Sequence, residues 1–569
     1  MPRPSFASNS KNMKLTKLWM TGAFASLALA ASAQTVTVTD ASINANDSVY
    51  WSNNNTYIIS EPVFVEDGAR LYIQAGTVIK GKAGVDAFLT ISRGGKIYAE
   101  GRSDAPIIFT AEADDVNDPN DLGPADIGLW GGLVICGKAP IERDGLLELQ
   151  AEGVAGTEPR ALYGGNDDND NSGVLRYVSV RHAGFELGSG DELNGISFCG
   201  VGSGTTVEYV EVYANKDDGI EFFGGSVNVK YAIVAFCRDD AFDWDEGYRG
   251  KGQFWFAIQS TGLGDCIGEL DGAIPDGGAR YSNPMVYNWT GIGPGSDTAV
   301  AKAAQTIMIL MRDATAGTIA NSIFTQGRGW ALQIEDLTDA KGVDAFQRLQ
   351  DGDLNWKSNL VYDFFRGNTL DTNSAGLLNI NSGAQDASLV RNTLIKHFND
   401  SNNKIADPGI SPVSRIQDGG LDPRPASNAD VTSNLAAIPN DPFFTQVSYK
   451  GAFDPNGPTW ANGWTTLARN GHFHSTVTSV KPVANVNGVT VYPNPANNAA
   501  TVAFNLVNAD NITVNVMNIS GQVISNNAMG NLTAGSQELN LDLAGLKPGV
   551  YFVTINGNNG AQSLKLIVQ

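Results

Sequence analysis

Three stretches of this chain are near-copies of one another. Asn194-Gly195-Ile196-Ser197-Phe198, Asp218-Gly219-Ile220-Glu221-Phe222 and Asp240-Ala241-Phe242-Asp243-Trp244 begin 24 and 22 residues apart. Each follows a second matched strand, at Tyr177-Val178-Ser179-Val180, Tyr209-Val210-Glu211-Val212 and Tyr231-Ala232-Ile233-Val234. A Gly-rich insert around Glu186 to Asp191 lengthens the first interval. A period near 22 residues, built of short alternating strands between Gly, Asn and Asp turns, is what one coil of a parallel β-helix requires. One such coil cannot bury its apolar face alone, so like residues recur where coil stacks on coil.

The N-terminal region follows the same rule with a longer coil. Val63-Phe64-Val65 recurs as Leu89-Thr90-Ile91, and Leu71-Tyr72-Ile73 as Ile97-Tyr98-Ala99, each 26 residues on. Asn321-Ser322-Ile323-Phe324, Asn359-Leu360-Val361-Tyr362 and Asn392-Thr393-Leu394-Ile395 read as further strands separated by larger insertions. The regular Leu-x-x-Leu-x-Leu frame of a horseshoe and the four strands per ~40 residues of a propeller are both missing. The expected fold class is therefore all-β: a right-handed parallel β-helix, or solenoid, over residues 34–410, followed by a small C-terminal β-sandwich. Gly 64 in 569 residues, with only 17% charged, agrees with a strand- and turn-rich chain.

Residues 1–33 read as a signal peptide. Met13-Lys14-Leu15-Thr16-Lys17 is basic, Leu18 to Ala30 is apolar, and Ala31-Ser32-Ala33-Gln34 supplies small residues for cleavage between Ala33 and Gln34. Residues 1–12 precede a second methionine and read as a generous start site. No later stretch reaches ~18 uninterrupted apolar residues, so no transmembrane segment is expected. Over 411–473 the repeats fade into Pro- and Trp-containing sequence such as Asp422-Pro423-Arg424-Pro425, expected to cap the open end of the solenoid. Residues 474–487 are polar and read as a linker. Residues 488–569 alternate in Ala500-Thr501-Val502-Ala503-Phe504, Ile512-Thr513-Val514-Asn515-Val516 and Val550-Tyr551-Phe552-Val553, the pattern of a sandwich of about seven strands.

The formal charge is −22, and the leader holds Arg3, Lys11, Lys14 and Lys17 with no acid, so without those four charges the rest carries −26. Such a surface repels phosphate backbones and anionic lipid, which excludes nucleic acid as a partner. It suits calcium, cationic partners or neutral glycans. Cys136, Cys199, Cys237 and Cys266, spaced 63, 38 and 29 apart, match no zinc or redox motif. One or two disulfides and buried free thiols both remain open.

The C-terminal region carries Val491-Tyr492-Pro493-Asn494-Pro495, Asn518-Ile519-Ser520-Gly521-Gln522, Leu543-Ala544-Gly545-Leu546 with Pro548-Gly549-Val550-Tyr551, and Lys565-Leu566-Ile567-Val568. In order and spacing these resemble the type A sorting domain of type IX secretion. The resemblance implies export across the outer membrane of a Gram-negative bacterium, with Tyr492, Pro493, Asn494, Pro495, Gly521, Gly549, Tyr551 and Lys565 as sorting-motif positions. It implies the type IX machinery as partner and a secreted or outer-surface location, reached through the periplasm. The body resembles a family of bacterial surface β-helix proteins through Gly76-Thr77-Val78-Ile79-Lys80-Gly81, Arg93-Gly94-Gly95-Lys96, Trp130-Gly131-Gly132-Leu133 and the run Asp240 to Gly250. A wider likeness to pectate-lyase-like folds is architectural, and fold alone assigns no chemistry.

Acidic residues concentrate on two successive coils, as Asp217, Asp218 and Glu221, then Asp239, Asp240, Asp243, Asp245 and Glu246. Glu221 and Asp243 stand one coil apart, and alternation sends both outward with Asp245 if Ile220, Phe222, Phe242 and Trp244 point inward. Carboxylates a strand spacing of ~4.8 Å apart repel unless a cation or a raised pKa relieves them. Asp217, Asp218, Glu221, Asp240, Asp243 and Asp245 are thus candidate calcium ligands, with solvated turns the plain alternative. Asp168-Asn169-Asp170-Asn171-Ser172-Gly173 copies the first half of a calcium loop, but position twelve is Ser179, so Asp168 and Asp170 form a partial candidate.

Arg249 and Lys251 follow within a few residues, so Asp243, Asp245, Arg249 and Lys251 are the catalytic candidates of a calcium-dependent lyase. A paired-carboxylate hydrolase is a further option. Trp130, Trp255, Trp289, Trp330 and Trp356, with Tyr248 and Phe256, offer rings on which sugars could stack. No compact catalytic motif stands out. The sequence therefore favours a non-catalytic glycan- or surface-binding module, with calcium as its only suggested cofactor, over a polysaccharide lyase or glycoside hydrolase.

Overall fold

The computed structural model describes residues 34–186, 192–276, 278–296, 307–337, 343–371, 376–380, 387–473, 486–518, 523–557 and 560–569. The signal peptide with Ala33, most of the Gly-rich insert, linker residues 474–485 and the sorting-motif Gly521 lie outside the described residues.

Two parallel sheets wind along the body, one of 18 strands and one of 10. The 26-residue repeat is literal register: Val63 pairs with Leu89 and Leu71 with Ile97. So is the shorter one, where Ile196, Ile220 and Phe242 lie in one file. Between the sheets, apolar side chains of every coil form one continuous core from Val38 to Phe398. The repeated Asn-Gly and Asp-Gly have a steric cause. A Cβ at Gly195 would come within 2.4 Å of Val212 Cγ1, and one at Gly219 within 2.3 Å of Val234 Cγ1.

The repeated tyrosines mark a bend within the long strands. Tyr177, Tyr209, Tyr231 and Phe254 all have φ between 49° and 59°, a region unfavourable for such side chains. Their rings stack at 4.4, 4.4 and 4.9 Å, which offsets part of that strain.

Two sequence expectations are corrected at the C-terminal end. Asn392-Thr393-Leu394-Ile395 is not a strand but part of the helix Ala387–Asp400. The next strand is Lys404–Ile405, which pairs with Leu360–Tyr362. Val390, Leu394 and Phe398 recur at helical spacing and are buried against the last coils, so this amphipathic helix closes the core. Residues 411–473, expected as the cap, instead run back along the side of the solenoid. Ala436 bonds Asn321, Thr445 bonds Gln253, and Thr466 bonds Glu211, each contact lying further toward the N-terminus. Leu421, Phe453, Trp464, Leu467 and Phe473 bury there against Tyr213, Phe236 and Phe256.

The C-terminal domain comprises a three-stranded and a four-stranded antiparallel sheet around a core that includes Val502, Phe504, Val514, Val553 and Leu566. No helix among the described residues is long and apolar enough to cross a membrane.

Candidate functional site

Alternation in the ten-stranded sheet sends Ile220, Phe222, Phe242 and Trp244 into the core and turns Glu221, Asp243 and Asp245 to the outer face. Glu221 and Asp243 are register partners, and the file runs back to Ser197 and on to Glu269. In the neighbouring file Phe223 pairs with Asp245, and further along Asp271 pairs with Arg312. The turn before these strands adds a third row. The Asp218 carboxylate accepts the amide of Asp240 at 2.9 Å, and the Asp240 carboxylate accepts the amide of Cys266.

This acidic region is partly shielded from water, with Asp217, Asp243, Asp245 and Glu269 half-buried. Asp218 and Glu221 are each 7% exposed and Asp240 3%. Nearby, a loop carrying Ile141, Ala151, Ala161 and Tyr163 packs from outside onto Val134, Cys136, Cys199 and Phe223. Burial raises the cost of charge, and neighbouring carboxylates add to it. Burial, then Asp239, pushes Asp217 up to about 7. Asp218, Glu221, Asp240 and Asp243 are driven well above the carboxylate range, by burial first and then by one another or by Asp217. Asp271 rises to about 8 through burial, against the pull of Arg312.

Ligand atoms converge within 4.8 Å in three overlapping groups: Asp217 with Asp218 and Asp239, Asp218 with Asp240 and Asp243, and Asp240 with Cys266 and Glu269. Glu221 takes a hydrogen bond from Asn194 at 2.5 Å. Asp243 Oδ1, by contrast, is buried with no hydrogen-bond partner. An orphaned acceptor among converging carboxylate oxygens fits a hard divalent cation. Oxygen-rich donors suit calcium; the Cys266 thiol belongs only to the third group.

Other sequence candidates lie elsewhere. Lys251 is not a base beside Asp243, because its ammonium is held by Asp441 of the returning segment at 2.5 Å. Arg249 packs over Tyr281, 5.0 Å from the ring centroid. Asp168 pairs with Arg280 at 3.0 Å, and Asp170 is bonded to Ser172 at 3.4 Å. Neither joins a converging ligand group among the described residues. The aromatic platforms are corrected too: Trp130, Trp255, Trp289, Trp356, Tyr248 and Phe256 are buried, and Trp330 is covered by Arg366 at 3.9 Å.

Sequence reasoning missed Glu269, Asp271 and Arg312. Arg312 pairs with both acids and supplies the positive charge of the two files. The signal was present, since Gly268-Glu269-Leu270-Asp271 repeats Phe242-Asp243-Trp244-Asp245 after 26 residues. Glycine in place of the aromatic hid it.

The sorting-motif segments also meet in space. Asn494 donates to the carbonyl of Lys565 at 2.7 Å and accepts from the amide of Ile567 at 2.9 Å, while Gly549 pairs with Val568. The Tyr551 hydroxyl bonds the Lys547 carbonyl at 3.0 Å. A family model described as pectate-lyase like beta helix domain matches residues 43–395. A second, secretion system C-terminal sorting domain, matches residues 490–569. No curated protein matches the chain.

Proposed function

Since the chain belongs to the pectate-lyase like beta helix domain family and ends in a type IX sorting domain that makes it a secreted or cell-surface protein, we propose that its body is a non-catalytic, calcium-stabilised module that binds glycan outside the cell. In this reading residues 1–33 direct the chain into the periplasm and are then removed. The observation that carries the calcium is the convergence of Asp218, Asp240 and Asp243 within 4.8 Å. Two buried carboxylates and a half-buried third, so close together, need either protons or a metal ion, and an extracellular protein meets calcium in abundance. A binding role is supported by one of the base candidates: the Lys251 ammonium is engaged by Asp441 and so is not free to take a proton.

A hydrolase is the second reading, favoured by one observation: Glu221 and Asp243 are register partners on adjacent coils, a pair of carboxyls side by side on one face.

The test incubates the chain lacking residues 1–33 with a panel of neutral and acidic polysaccharides, in calcium and in chelator. Depletion of protein from solution without fragments, in calcium only, is the expected result. Oligosaccharides with an unsaturated end would establish a lyase instead, and fragments with added water a hydrolase.

A further inference from the structure

A cluster of opposite charge stands on the connections that follow these acidic strands. Arg249 lies just after the strand Phe242–Asp245, Arg280 and Tyr281 after Gly268–Asp271, and Arg348 in the helix Ala345–Asp351. The three coils bring two of them over one ring, with the third just before it in the chain. The Arg348 guanidinium carbon lies 3.5 Å from the Tyr281 ring centroid, and that of Arg249 5.0 Å. Arg280 is the next residue to Tyr281, and its charge acts on Arg249.

Two carboxylates answer these three guanidiniums. Asp168 lies 3.0 Å from Arg280, and Asp353 lies 3.3 Å from Arg348. Arg249 has no carboxylate at ion-pair distance among the described residues; its Nε donates to the Tyr281 carbonyl at 3.0 Å. In addition, Arg280 Nε is buried and donates to nothing. The group therefore holds one unneutralised positive charge and one orphaned donor, in a protein of net charge −22. Burial, then the charge of Arg280, pulls the Arg249 pKa down, as expected of crowded guanidiniums. Arg249 is exposed and Tyr281 half-buried, so the group is open to a ligand.

We propose that Arg249, Arg280 and Arg348, gathered around Tyr281, form a subsite for a singly charged oxyanion, the carboxylate or sulfate ester of an acidic glycan. Guanidinium forks match the planar edge of such anions, and the ring offers an apolar surface beside them. This inference rests on the glycan-binding reading and adds the class of glycan. It also assigns to Arg249 the holding of an anion in place of proton abstraction.

The experiment titrates the chain lacking residues 1–33, by calorimetry in calcium, with a uronate, a sulfated and a neutral oligosaccharide of equal length. Arg249→Gln and Arg280→Gln are compared with the parent after circular dichroism shows both folded. The expected result is tighter binding of an acidic oligosaccharide, lost by about ten-fold or more in each variant, with the neutral one unaffected. Preference for the uronate or the sulfated probe identifies which oxyanion is bound. Equal acidic binding by parent and variants overturns the subsite. Binding of the neutral probe alone overturns the subsite but leaves glycan binding standing, and binding of none overturns both.

Discussion

The carboxylate of Glu211 accepts the backbone amide of Thr466, 255 residues farther along the chain, at 2.7 Å. It also takes the Thr466 hydroxyl at 2.8 Å and the Ser179 hydroxyl at 2.6 Å, in a site with no solvent exposure. One side chain on a solenoid strand thus anchors the start of the short helix Thr466–Arg469 and docks the returning segment.

Glu211→Ala should therefore release that segment. Leaving several buried donors unpaired costs on the order of 2–4 kcal/mol, read by chemical denaturation. Limited proteolysis should cut first within 411–473. A variant with parental protease resistance and stability would show that apolar burial of Trp464 and Leu467 holds the segment unaided.

Calcium should raise the melting temperature of the full chain, and a chelator should reverse the rise. Asp243→Asn should abolish most of this response. In chelator the same variant should be no less stable than the parent, because an amide there needs neither a proton nor a cation. Identical melting curves with and without calcium would dismiss the cation site.

His472 gives a pH signature away from the carboxylates. It is fully buried, its ring bonded to the Tyr213 hydroxyl at 3.2 Å, and burial pulls its pKa from 6.5 to about 4 despite the charge of Asp418. The unfolded chain then binds the proton more readily than the folded one. The stability from the neutral ring is complete above about pH 7 and is lost as pH falls toward 4, on the order of 3 kcal/mol in all. Relative to the parent, His472→Gln should gain stability as pH falls from about 7 to 4; a difference that stays constant across this range would assign the effect elsewhere.

The capping helix should behave as part of the core. Phe398→Ala should cost roughly 3–5 kcal/mol and expose the last coil, giving aggregation on gentle heating. Parental stability would mean that the solenoid ends without it.

All four cysteines are free and buried. A thiol reagent should find none in the native protein and four after denaturation. Fewer than four in denaturant would reveal a disulfide, with Cys136 and Cys199 first in question as register partners on adjacent coils.

Much of the architecture was legible because coil stacking is a local rule repeated. Tyr177, Tyr209 and Tyr231 recur in sequence for the same reason that their rings stack. Pairing of Glu221 with Asp243 was readable from their spacing alone. The rule fails where insertions break the period. Asn392 to Ile395 looked like another strand, yet the spacing of Val390, Leu394 and Phe398 is helical and decided the outcome. Asn359 likewise aligns with Ser322 and not with Asn321, a shift of one residue that the matching asparagines concealed.

By itself, the sequence determined the β-helix, the register of its regular coils, the acidic rows and the C-terminal sandwich, because each depends on contacts at a fixed repeat distance. Only the tertiary structure decided which of those acids are buried, that residues 411–473 lie along the solenoid's side, and that Lys251 is occupied by Asp441. It also decided that Arg249 and Arg348 share one tyrosine ring and that the charge of Arg280 acts on Arg249. These depend on segments far apart in the chain meeting in space, and no period in the sequence records such a meeting.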